Sequence, residues 1–137
     1  PRPPGATMIV GPDGEVVGSV SGGCVESAVY DLAQDVRQTG QPVLQRYGIS
    51  DDDAFSVGLT CGGIIDIYVE AVNSTLTPEL AYLQRDAKAH LPFGSATLVA
   101  HSGATRVGAR LVVRPGHMPS VTGALGSPEL DSAVQAE

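Results

Sequence analysis

Two cysteines are the residues of this chain best suited to chemistry, and each borders a glycine pair: Gly22-Gly23-Cys24 and Cys61-Gly62-Gly63. A Gly-Gly passage into a helix turns the backbone tightly and aims unpaired N–H groups outward. Those groups and the helix dipole favour an anion, such as a phosphate. The same field lowers the pKa of a thiol at the helix start, which makes Cys24 a nucleophile or a soft metal ligand. Cys61 has similar glycine neighbours but precedes a strand, so it lacks that field. Both are candidate catalytic thiols. The opposing reading is a small apolar role, since unpaired cysteine is among the most buried residue types. The Gly-rich stretch has neither the G-x-x-x-x-G-K pattern of a P-loop nor the G-x-G-x-x-G spacing.

Other polar groups point less clearly to a site. Glu26 falls in the first turn of the predicted helix, where it complements the dipole or contacts a ligand. Ser50-Asp51-Asp52-Asp53 reads as an N-cap with an acidic first turn rather than a metal site. His90, His101 and His117 are scattered, with no carboxylate at a fixed offset. Asp66, Tyr68 and Glu70 share one face of a predicted strand.

The elements that must position the thiols follow from turn chemistry and periodicity. Residues 6–10 and 15–20 read as strands joined through Gly11-Pro12-Asp13-Gly14. Val25, Ala28, Val29, Leu32, Ala33 and Val36 form the apolar stripe of a helix that Gly40 stops. Further strands are expected over 42–47, 64–70, 96–101 and 109–113. Thr77-Pro78-Glu79 opens a helix running to about His90, with proline at its first position.

An internal repeat underlies this order. Gly5-Ala6-Thr7-Met8-Ile9-Val10-Gly11-Pro12 parallels Gly108-Ala109-Arg110-Leu111-Val112-Val113-Arg114-Pro115. Gly18-Ser19-Val20 parallels Gly123-Ala124-Leu125, and Ser27-Ala28-Val29 parallels Ser132-Ala133-Val134. The offset drifts from 103 to 105, which a loop insertion would absorb. Ser127-Pro128-Glu129 replaces Gly23-Cys24-Val25 in the second copy, so the thiol is an addition to one copy. The expected fold class is α/β, a mixed sheet with packed helices built from two related strand-turn-strand-loop-helix units.

The chain has 137 residues, 42% of them apolar and 4% aromatic, so a core of Val, Leu, Ile and Ala is expected. A net charge of -7 argues against a phosphate-contact patch for nucleic acid. No apolar run is long enough for a membrane span. Two cysteines are too few for a disulfide scaffold and fit no zinc-ribbon or C-x-x-C spacing, which favours a reducing, cytoplasmic setting. Both ends read as those of a fragment of a longer chain.

At Gly18-Ser19-Val20-Ser21-Gly22-Gly23-Cys24-Val25-Glu26, at Arg46-Tyr47-Gly48-Ile49-Ser50-Asp51-Asp52-Asp53-Ala54-Phe55 and at Gly58-Leu59-Thr60-Cys61-Gly62-Gly63, the sequence resembles the XdhC/CoxF family. These are accessory proteins for maturing molybdenum hydroxylases such as xanthine dehydrogenase and carbon monoxide dehydrogenase. The motifs cover Pro1 to about Val72, and the segment from about Ala96 to Val134 also looks like the family's domain, so residues 1–137 are read as a single domain of this type.

The resemblance implies a protein that binds molybdenum cofactor, protects it while its terminal sulfido ligand is installed, and hands it to the apo-hydroxylase. Ser21, Gly22, Gly23, Cys24, Glu26, Cys61, Gly62 and Gly63 are then the cofactor-binding set. The Gly22–Gly23 helix start would meet the cofactor's phosphate, while Cys24 and Cys61, across one cleft, would hold molybdenum or relay sulfur as persulfide. The hydroxylase is the implied partner, a cysteine desulfurase is a further candidate, and a homo-oligomer is expected. NAD binding belongs to a Rossmann-like domain that these residues do not contain. Family members often carry the name of xanthine dehydrogenase itself, but this chain lacks the iron–sulfur cysteines and the length for that activity. The alternatives are a thiol-dependent sulfurtransferase or oxidoreductase, and a structural module with inert cysteines.

Overall fold

The Gly11-Pro12-Asp13-Gly14 turn folds the start of the chain back on itself. In the computed structural model, which describes residues 2–48, 63–100, 106–116 and 120–136, β1 (Met8–Val10) pairs antiparallel with β2 (Val16–Gly18). Gly11 N–H closes the turn onto Glu15 O at 2.8 Å, and Gly14 takes the left-handed conformation that glycine tolerates. The helix expected from the apolar stripe is α1 (Glu26–Thr39), and Gly40, in the αL conformation, caps it through an N–H to Val36 O. β3 (Val43–Tyr47) and β4 (Ile65–Val69) form a second antiparallel pair, with Arg46 and Asp66 facing each other in a two-pronged ion pair of 2.7 and 2.8 Å.

These elements form one of two compact units, Pro1–Ala71. Its core is Val20, Val25, Val29, Tyr47 and Ile67, with Met8, Cys24, Ala28, Ile65 and Val69 packed against it. Val25 is completely buried at 0% exposure, so the residue after Cys24 anchors the loop to the core.

The second unit, Val72–Glu137, contains α2 (Leu80–Lys88), β5 (Gly94–Thr97), β6 (Arg110–Val113), β7 (Val121–Gly123) and α3 (Pro128–Gln135). α2 starts later than Thr77-Pro78-Glu79 predicts. Asn73 folds the approach into a turn, its Oδ1 accepting from the N–H groups of Thr75 and Leu76 and its carbonyl from Thr77 N–H. Proline at a helix start is found instead in α3, where Pro128 follows the N-cap Ser127. β5 begins two residues earlier than expected and pairs antiparallel with β6, which pairs with β7 on its other edge.

α2 and its cap are tied to β6 by side chains. Arg110 and Arg114 lie on one face of β6 and reach α2 and its cap, Arg110 to Glu79 at 2.9 Å and Arg114 to Asp86 at 2.5 and 2.8 Å. Arg114 also stacks on Tyr82, 4.7 Å from the ring centroid. Alternation puts Leu111 on the opposite face, and α3 packs against β6. The α/β class is therefore as expected, and its described strands lie in three small antiparallel sheets.

The internal repeat is real at the level of atoms. Ala6 N–H donates to Pro3 O and Ala109 N–H to Arg106 O, at 3.2 and 3.1 Å. Met8 faces Gly18 as Leu111 faces Gly123. A Cβ on Gly18 would meet Thr7 O at 2.2 Å, and one on Gly123 would meet Arg110 O at 2.2 Å. The drift in offset lies in the turn: the bond from Gly11 N–H to Glu15 O becomes one from Arg114 N–H to Ser120 O, which spans two more residues. From Gly18 and Gly123 onward the offset is constant, so Ser127-Pro128-Glu129 stands opposite Gly22-Gly23-Cys24, one residue from the pairing read in the sequence.

Candidate functional site

The Cys24 loop is organised by a carboxylate of its own chain. Ser19 Oγ and the N–H groups of Val20, Ser21 and Gly22 donate to Glu26 Oε1 at 2.7, 3.2, 2.9 and 3.0 Å. Gly23 N–H donates to Oε2 at 2.8 Å, and the Ser21 hydroxyl makes a second, short bond to the same oxygen. Gly22 and Gly23, at φ +85° and +117°, allow the backbone to curl around that carboxylate. A Cβ at either would meet nothing within 4 Å, so they serve conformation and not close packing. The anion-binding concavity expected at Gly22–Gly23 thus exists, and Glu26 fills it.

The electrostatics of Glu26 follow from this ring of donors. Burial raises its pKa, but the hydroxyls of Ser21 and Ser19 and the N–H groups of Ser21 and Gly23 outweigh that effect and hold the carboxyl well below the usual range. It is a fixed negative charge at the start of α1, where the dipole favours one.

Cys24 lies two residues before α1, not in its first turn, because Val25 is the N-cap. Its thiol is half-buried and packs against the unit's core. Gly23 is held by Glu26 on one side of it, and Val25 N–H donates to Ser21 Oγ at 3.1 Å on the other. The sulfur is therefore presented from a backbone fixed at both neighbours. Ser21 is buried, while Gly22 and Gly23 are exposed.

Cys61 and Gly62 lie outside the described residues, as do Asp51, Asp52, Asp53, His101 and His117. Gly63 is described and its carbonyl sits close to Gly48, where a Cβ would approach it to 2.7 Å. His90 follows Ala89, the C-cap of α2, in the left-handed region at φ 56°, on the surface. Asp66 is committed to Arg46, and Tyr68 hydroxyl bonds Glu70 at 3.3 Å. Among the described residues no cluster of three or more His, Cys, Asp or Glu could hold a metal ion. No helix of the described residues is long and apolar enough to cross a membrane.

Sequence reasoning missed Ser19 and underrated Glu26. Ser19 Oγ donates to Glu26 and also accepts from Gly22 N–H at 3.0 Å and Arg2 Nε at 3.2 Å. A visible signal was an acid three residues after Gly23, within reach of the loop's N–H groups, as in a capping box. The second unit keeps a reduced form of the device: Asp131, opposite Glu26, accepts from Leu125 N–H at 2.6 Å.

The carboxylate-pinned Gly-Gly-Cys loop lies in the part of the chain that matches the XdhC and CoxI family, residues 1–48. Among particular relatives, the molybdenum cofactor insertion chaperone PaoD of Escherichia coli K12 is 40% identical over 84 residues, 61% of this chain and 26% of PaoD. The uncharacterized protein YqeB of the same organism is 33% identical over 64 residues, 47% of this chain and 12% of YqeB. The crystal structure of a xanthine dehydrogenase from Bacillus halodurans is similar at a TM-score of 0.68 and 28% identity, covering 92% of this chain and 37% of that one. The chain thus spans about a quarter of PaoD and little more than a third of the Bacillus protein.

Proposed function

We propose that this chain is a binding and delivery module for molybdenum cofactor, which it carries as cargo to a hydroxylase of the xanthine or carbon monoxide dehydrogenase type. The supporting observation is the coincidence of the family match over residues 1–48 with a Glu26-pinned loop that carries the half-buried Cys24 thiol. The 40% identity to a molybdenum cofactor insertion chaperone supports the choice of cargo.

Cys24 supplies a soft sulfur donor suited to molybdenum. Glu26 occupies the loop's N–H groups, so in this conformation they hold the backbone beside the thiol and do not offer themselves to the cargo's phosphate. Cys61 is the second thiol of the proposal, as the sequence motif suggests. Shielding the cofactor during sulfuration, with sulfur drawn from a cysteine desulfurase, is the finer part of this reading. A reducing cytoplasm is the setting that keeps both thiols available.

The test is activation of a purified apo-hydroxylase by cofactor-loaded protein. The reading predicts stoichiometric activation that falls at least tenfold for Cys24→Ala. Unimpaired activation by both Cys24→Ala and Cys61→Ala proteins would remove the thiol role. Repeated turnover of a sulfur donor without cofactor would favour a sulfurtransferase instead.

A further inference from the structure

The chain's whole net charge falls in its first unit. Pro1–Ala71 carries ten acids against three arginines, whereas Val72–Glu137 carries five acids and five bases. An anionic cargo that approaches the Cys24 loop meets that negative field, so a cation on the loop itself carries weight. Arg46 is paired with Asp66, and Arg37 is held on the hairpin turn, its Nη1 donating to Pro12 O at 2.9 Å.

Arg2 is the arginine tied to the Cys24 loop. Its N–H donates to Val20 O and its Nε to Ser19 Oγ, both at 3.2 Å, so main chain and side chain are each anchored there. Pro3 and Pro4 follow it and restrict the backbone at that point. Its terminal Nη1 and Nη2 groups take no partner among the described residues. Glu26 does not draw on them, because its donors are hydroxyls and N–H groups of residues 19–23.

Ser19 connects this cation to the backbone that presents the thiol. Its Oγ accepts from Arg2 Nε and from Gly22 N–H, two residues before Cys24. Guanidinium and sulfur are therefore carried by one hydrogen-bonded loop whose own anion hole Glu26 fills. A ligand that brings a soft metal to the thiol cannot set a phosphate on those N–H groups in this conformation. The outer edge of the Arg2 fork is the donor left for it, and its planar pair of N–H groups matches two phosphate oxygens.

We infer that Arg2 is the phosphate-recognition residue of the Cys24 site. Nη1 and Nη2 grip the phosphate monoester of the cargo while Nε keeps the guanidinium on Ser19. The inference rests on the delivery reading above and adds a specificity element to it, selection for the phosphorylated cofactor. The Ser19 bond orients the fork in advance, so less side-chain freedom is lost on binding. Lysine at this position would keep the charge but could not present a planar pair of donors while holding Ser19.

The experiment measures equilibrium binding by the purified full-length protein of molybdenum cofactor released from a hydroxylase, intact or dephosphorylated with a phosphatase. Wild type should bind the intact form roughly tenfold more tightly than the dephosphorylated form. Arg2→Gln should lose that preference, with the intact form weakened and the dephosphorylated form unchanged, and Arg2→Lys should fall between the two. A loss that strikes both forms alike would make Arg2 a prop of the loop. A preference that survives in Arg2→Gln, or is missing from wild type, would remove phosphate recognition from this side chain. Each of these results overturns the assignment and leaves the delivery reading standing, whereas a wild type that binds neither form overturns both.

Discussion

Replacing Glu26 by alanine removes the acceptor of hydrogen bonds from Ser19, Val20, Ser21, Gly22 and Gly23 at one stroke. A bond to a charged acceptor is worth about 1.5–3 kcal/mol, but these share one carboxylate and do not add. Gly22 and Gly23 are exposed, so water replaces Glu26 there. Val20 and Ser21 are buried, and their groups lose a partner that water replaces poorly. The net cost is on the order of 3 kcal/mol, or a fall in Tm of roughly 10 °C for a chain of this size. Glu26→Gln keeps one acceptor oxygen and should cost about half as much.

The charge gives the prediction a pH signature. The folded pKa of Glu26 lies below the ordinary value of 4.5. Its contribution is therefore complete above pH 4.5 and is lost as pH falls below that toward the folded pKa. Urea melts of wild type and Glu26→Gln at pH 7 and pH 3.5 measure both effects, and the gap between the two proteins should narrow at the lower pH. Equal stability at pH 7, or a gap that widens in acid, would refute the role given to this carboxylate.

Gly18→Ala and Gly123→Ala each force a Cβ to 2.2 Å from a carbonyl oxygen at positive φ, so both should destabilise by roughly 2–4 kcal/mol in denaturant melts. A large effect at one and none at the other would break the structural equivalence of the repeats. Gly22→Ala strains φ but meets no atom, and its melt should show a cost nearer 1 kcal/mol. Asp86 is 2% exposed and paired with Arg114, so Asp86→Ala should lower Tm by roughly 10 °C, whereas an Asp86→Leu, Arg114→Met double variant should recover most of the loss.

Local signals in the sequence located most elements. The stripe from Val25 to Val36 and the stop at Gly40 identify α1 because helix periodicity and a left-handed cap are set by nearby residues. The repeat was legible because Gly5, Gly18, Gly108 and Gly123 are each required by a positive φ, whatever packs around them. The start of α2 was misplaced because Asn73, several residues upstream, spends its side chain and carbonyl on a competing turn.

The Cys24 loop was legible as a place and not as a mechanism. Glycine pairs announce a curled backbone, but only the folded loop shows Glu26 turning back to fill the anion position. The packing of α2 on β6 rests on Arg110–Glu79 and Arg114–Asp86, pairs distant in sequence that no window of residues displays.

The claim at the centre is that Cys24 contacts the cargo and Glu26 holds the loop that presents it. Equilibrium binding of molybdenum cofactor to the purified wild-type, Cys24→Ala and Glu26→Gln proteins tests it most directly. The account predicts at least tenfold weaker binding by Cys24→Ala, and an intermediate loss for Glu26→Gln with its Cys24 thiol alkylated at an altered rate. Wild-type affinity in the folded Cys24→Ala protein would contradict it.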